Sequence, residues 1–112
     1  MKYSTATKIN LIKQAMARRN MTLFEEIKFF TETHTFLFGD LERFILKHRL
    51  GLYHDKKPKS LKHIASMLKI PVSKEDKINL TKKSYNSAIE KIAQRFDFSH
   101  IPTNSDEETC SN

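Results

Sequence analysis

The chain is poor in the residues that would open several common classes of function. Its one cysteine, Cys110, has no partner within the chain, so no intrachain disulfide forms and the fold rests on packing, as in a reducing compartment. With 2 glycines it cannot build a Gly-rich phosphate loop, and GxxxxGK[ST], GxGxxG and GxSxG are all missing. With 3 prolines besides, it lacks the punctuation of a turn-rich sheet protein, which points to a mainly α class. No apolar run approaches the roughly 18 residues that a membrane-spanning helix requires. No charged, apolar, small-residue leader opens the chain, so the expected location is cytoplasmic.

Catalytic and metal-binding groupings are also missing. His34, His48, His54, His63 and His100 show neither HExxH nor Cys-His spacing, so no structural zinc and no other cofactor is expected. Glu25 and Glu26, like Glu75 and Asp76, are sequence neighbours, which on a helix point about 100° apart rather than into one cleft. They read as solvated or helix-start charges. The chain is expected not to be an enzyme and to have no small-molecule substrate.

What is present is positive charge, unevenly placed. The formal net charge is +7 over 112 residues. Between Lys47 and Arg95 there are 13 Lys or Arg against 4 Asp or Glu, whereas between Asn20 and Leu46 there are 2 against 5. A concentrated basic segment is what attachment to a polyanion needs, because each neutralised phosphate releases counterions. The length suits one domain, residues 1–102, followed by the acidic, polar TNSDEETCSN of residues 103–112, expected to be disordered.

In chain order, Ser4 to Thr7 offer caps for a first helix through KINLIKQAMARRN, with Asn20 ending it. Thr22 and Glu25 have the spacing of a capping box, predicting a helix start there. Leu23, Ile27, Phe30, His34, Leu37, Leu41, Phe44 and His48 then recur at steps of four and three, an apolar seam widened by Phe24, Phe36, Phe38 and Ile45. That stretch holds six of the eight phenylalanines and is expected to be core, or the surface of a homodimer. His34 on this seam is read as a packed histidine rather than a ligand. Gly39 divides the seam into two helices, Leu23 to Phe38 and Asp40 to Leu50, with Gly51 as the stop.

A cationic loop from Gly51 to Lys59 leads to Ser60, which can cap a helix bearing Leu61, Ile64, Ala65 and Leu68. IASML followed by IPVS is similar to a helix-turn-helix, with Lys69 where a small turn residue is usual and with Glu75 and Asp76 at the start of its second helix. The preferred reading makes Pro71 to Leu80 an enlarged connector containing up to one helical turn, and makes Lys82 to Phe96, capped by Thr81, the reading helix.

The fold expected is therefore a compact single-domain bundle of four to six helices with a divergent helix-turn-helix in its C-terminal half. The function expected is noncatalytic binding of duplex DNA, favoured over RNA, as a small transcriptional regulator. Lys56, Lys57, Lys59, Lys62, Lys82, Lys83, Lys91 and Arg95 would meet phosphates, and Ser87 and Gln94 would meet base edges. The alternative is a non-enzymatic protein-interaction module, an adaptor or inhibitor for an acidic or apolar partner.

Overall fold

Most helices of this chain begin where a short polar side chain takes an otherwise orphaned N–H. The computed structural model describes residues 3–53 and 57–101. The expectations for Lys56 and for the tail at 103–112 lie outside those residues. Helix α1 (Thr5–Met16) follows Ser4, whose Oγ accepts the Thr7 N–H at 3.1 Å. It stops short of the predicted Asn20, because Arg18 adopts left-handed backbone with φ 63°. Asn20 instead caps α2 (Met21–Thr33), its Oδ1 accepting the Leu23 N–H at 3.1 Å. The capping box expected at Thr22 and Glu25 is thereby displaced: the stronger cap two residues earlier sets the start.

The helix predicted to reach Phe38 ends at Thr33. Thr33 Oγ1 donates to the carbonyls of Phe29 and Phe30 at 2.9 and 3.2 Å, and His34 Nδ1 lies 3.0 Å from the Phe30 carbonyl. Side chains thus take the carbonyls that continuing helix would use. A single 3₁₀ turn, Thr35–Leu37, follows.

Helix α3 (Asp40–Leu50) has the predicted bounds. Asp40 and Glu42 in its first turn and Lys47, His48 and Arg49 in its last complement the helix dipole. Gly51, with φ 71°, supplies the left-handed stop that a side chain would resist.

Helix α4 (Leu61–Ser66) is short, capped by Ser60 Oγ on the His63 N–H at 3.1 Å. Helix α5 (Lys74–Arg95) runs 22 residues and overturns the expected connector. Ser73 is its cap, accepting the Asp76 N–H at 3.1 Å, and Glu75 and Asp76 sit in its first turn, where negative charge is favoured. Thr81 is no cap: it is fully buried within the helix, its hydroxyl donating to the Lys77 carbonyl at 2.8 Å.

Five α-helices, four of them at least seven residues long, and no strand make up the described residues, so the chain is an all-α globule. Helix α5 is its axis, packing on α1, α3 and α4, while α2 leans on α1 and α3 also meets α4. Ile12, Ile27, Ile45, Leu46, Ile64, Ile89 and Ile92 are wholly buried among these helices. Each such side chain contributes about 1.5–3 kcal/mol by leaving water. The apolar seam is core in part: Leu23, Phe24, Ile27, Phe30, Phe38 and Ile45 are buried, whereas Phe36 is 75% exposed; Phe29, outside the seam, is 67% exposed. No described helix is long and apolar enough to cross a membrane.

Candidate nucleic-acid interface

The basic residues of the later half fall at three separate places along α5. The first is the end formed by α4 and the opening turns of α5. From Lys57 to Lys83 there are eight lysines against two acids, an excess close to the net charge of the whole chain. Lys62, Lys69, Lys74, Lys82 and Lys83 are exposed and Lys77 is half-buried; none of the six forms an ion pair among the described residues. Lys62, Lys74 and Lys77 surround a recess of about 20 Å³ between the two helices, floored by Ala65 and Ile78. The loop before α4 is held in place: the Lys59 N–H donates to the His48 carbonyl at 2.9 Å, and Arg49 Nη1 donates to the Lys59 carbonyl at 3.3 Å. Lys59 Nζ donates to the Lys57 carbonyl at 3.2 Å, keeping both lysines beside this end.

The second place is the middle of α5, where Ser87 and Lys91 turn toward α3. Ser87 Oγ donates to Glu42 Oε2 at 2.7 Å and Lys91 Nζ pairs with Glu42 Oε1 at 2.6 Å. That same Oε1 accepts the Gly39 N–H at 2.9 Å. Burial alone would raise the Glu42 carboxyl pKa, but the Lys91 ammonium, the Gly39 N–H and the Ser87 hydroxyl outweigh it and hold the group below its ordinary value. Glu42 is 12% exposed and Lys91 40% exposed, so the carboxylate is the buried partner. Ser87 and Lys91 are thus engaged by a carboxylate 45 and 49 residues away.

The third place is the last turn, carrying Gln94 and Arg95. Both are exposed, and Arg95 borders an apolar groove against α2. A rise of 1.5 Å per residue puts this turn about 18 Å along the axis from Lys82 and Lys83. Of the expected phosphate contacts, Lys57, Lys59 and Lys62 lie at or just before α4, Lys82 and Lys83 stand in the first half of α5 about 12–14 Å along its axis from Lys74, and Lys91 and Arg95 lie further toward its C-terminal end.

Lys69, Lys74 and Lys77 belong to the basic end and were not singled out from sequence. The pairing of Ser73 with Asp76 at capping distance was the signal that α5 begins early enough to bring Lys74 and Lys77 there. On a helical wheel Asn79, Lys83 and Asn86 lie within about 60° of one another, so the outward face of α5 presents two amides around a cation. All three are exposed.

His34 is a packing residue, stacked on Phe30 at 4.1 Å between ring centroids. No group of three or more metal-ligating side chains occurs among the described residues. A second cavity, about 260 Å³, is bordered by Thr31, Arg43 and Lys47. Arg43 Nη1 already donates to the carbonyls of Thr35 and Phe38 at 3.3 and 2.6 Å, and Nη2 pairs with Asp40. No protein family, curated protein or solved structure matches this chain.

Proposed function

We propose that the chain is a noncatalytic DNA-binding protein, a small transcriptional regulator that approaches the duplex with its α4–α5 end. The observation that supports this reading is the set of six lysines that form no ion pair among the described residues, contributed by two helices and the segment between them. The positive end of the α5 dipole is already met by Ser73, Glu75 and Asp76, so the lysines rather than the helix end carry the attraction to phosphate. The α4–α5 pair resembles a helix-turn-helix with a long turn, residues 67–73 in place of the usual three or four. In this reading α5 begins to act at Lys74, and Asn79 and Asn86 take the base-edge role expected of Ser87 and Gln94. An asparagine amide can pair in two places with an adenine edge. Lys82 and Lys83 flank it as phosphate contacts.

A salt series of binding to duplex DNA, RNA and heparin tests the reading. Each phosphate contact contributes about −0.9 to the slope of log affinity against log salt, so replacing Lys74 and Lys77 by glutamine lowers the slope magnitude by about two. Asn86→Ala changes preference among duplexes by about tenfold at one position, against a uniform loss for the lysine variants. Equal affinity for all three polymers, or an unchanged slope, would refute specific duplex binding through this end.

The exposed rings of Phe29 and Phe36 favour a second reading beside the first, that the chain is also an adaptor for a protein partner. The two readings use different ends of α5. That helix is about 33 Å long, so both surfaces can be occupied together.

A further inference from the structure

The C-terminal end of α5 faces α2 across a groove of about 560 Å³. Its floor is a run of rings in contact: His34 on Phe30 at 4.1 Å, Phe30 on Phe96 at 5.6 Å and Phe96 beside His100 at 6.1 Å. Phe36 continues the run at 5.7 Å from His34, and Phe29 stands on the wall, 67% exposed. The volume lies in the range that takes a drug-sized ligand, about two or three bulky side chains. The exposed rings extend past the recess itself, which suits an extended partner rather than a compact molecule.

The rim is acidic in a chain whose net charge is +7. Glu25, Glu26 and Asp97 border the groove, against Arg95 and His100. His100 Nε2 is bonded to Glu26 Oε1 at 2.5 Å and is thereby committed to the wall. Among the described residues Glu25 has a loose partner, Lys28 at 3.9 Å, and its side chain is well exposed. Asp97 is exposed, and the Ser99 hydroxyl, the Ser99 N–H at 2.9 Å and the nearby His100 hold its carboxyl below its ordinary value.

From this pairing of an aromatic floor with exposed carboxylates, we propose that the groove docks an amphipathic helix of another protein, its apolar face on Phe29, Phe30 and Phe96 and its lysines or arginines toward Glu25 and Asp97. The proposal rests on the adaptor reading and is independent of the polyanion one. An isologous dimer fits less well, because a two-fold axis would bring each acidic rim onto its own copy. The chain's own residues 103–112 are acidic as well and would meet the same repulsion.

The test is a displayed library of amphipathic helices with leucines fixed at i, i+4 and i+7 and the polar positions randomised, selected on the full chain and counter-selected on the Phe29→Ser variant. Phe29 is exposed, so this variant is expected to fold, with an unchanged helical spectrum as the control. Lysine- and arginine-rich helices are expected, losing about tenfold in affinity on Phe29→Ser and about threefold on Glu25→Gln with Asp97→Asn. Duplex DNA binding should be unaffected by all three substitutions. Recovery of acidic or uncharged helices would overturn the charge assignment and leave the adaptor reading standing. Recovery of nothing beyond the counter-selected background would overturn both. Concentration-dependent dimerisation abolished by Phe29→Ser would assign the groove to a second copy and overturn the proposal.

Discussion

Replacing Glu42 by alanine separates residues that hold the fold from residues that face a ligand. The substitution removes the acceptor of the Gly39 N–H at the start of α3, an interaction of the capping kind worth about 1 kcal/mol. It also removes the charge-assisted bond from Lys91 and the bond from Ser87. A hydrogen bond to a charged group contributes about 1.5–3 kcal/mol, but Lys91 is 40% exposed and recovers water, so only part of that is lost. The expected destabilisation is about 2–3 kcal/mol, which for a domain of this size lowers Tm by about 10–15 °C. Urea unfolding followed by circular dichroism measures it, in a cycle with Lys91→Ala, where a coupling of about 1 kcal/mol is expected. In the same variants duplex affinity at a temperature well below Tm should change less than about twofold, whereas Lys74→Gln should lose affinity and keep its stability. A coupling below about 0.3 kcal/mol, or a loss of affinity on Lys91→Ala as large as on Lys74→Gln, would refute the assignment of Lys91 to the fold.

Other outcomes follow from single contacts. Ser73→Ala should cost about 1 kcal/mol as the loss of a true cap, whereas Thr81→Val should stay within about 0.5 kcal/mol, since the lost bond only doubles one that the helix already makes; reversed costs in urea would return the start of the helix to Thr81. Leu46→Ala, at a fully buried position, should cost about 2–5 kcal/mol by the same measurement. The Glu42 carboxyl sits below its ordinary value of 4.5, so its contribution is present above that pH and lost as pH falls through the folded value; Glu42→Gln should flatten the acid limb of the stability curve. The hydrogen bond that His100 donates to Glu26 raises the imidazole pKa above its ordinary 6.5, so this contact is fully made below 6.5 and released as pH rises through the raised value. Amide exchange at Ile101, whose N–H donates to the Phe98 carbonyl at 3.0 Å, should quicken over that window more than intrinsic exchange does, and His100→Gln should remove the excess.

The sequence made some elements legible and concealed others for physical reasons. Helix α3 could be bounded to the residue because Gly39, a weak helix former, breaks the apolar period before it and Gly51 supplies its left-handed stop. The caps at Ser4 and Ser60 could be read for the same reason. The true start of α5 was obscured because Pro71 and the polar residues after it imitate a loop, while Thr81 imitates a cap. What decides is that Thr81 is covered by neighbouring helices, and no local pattern carries that. Likewise, the phenylalanine seam announced a core, but the stop at Thr33, made by side-chain bonds to backbone carbonyls, turns Phe36 out to solvent. Lys62, Lys82 and Lys83 stand out by charge alone, whereas Glu75 and Asp76 offset Lys74 and Lys77 in the local charge pattern. The engagement of Ser87 and Lys91 by Glu42 spans more than forty residues of chain and leaves no trace in spacing.

Because α5 packs against α1, α3 and α4, the molecule is expected to unfold as one cooperative unit. Neither of its two outer surfaces would survive excision as a fragment: cutting α5 anywhere between them removes the shared wall on which the other helices are built. Dissection of this protein therefore belongs to point substitution, and a truncated chain that binds nothing would report lost folding rather than a lost contact.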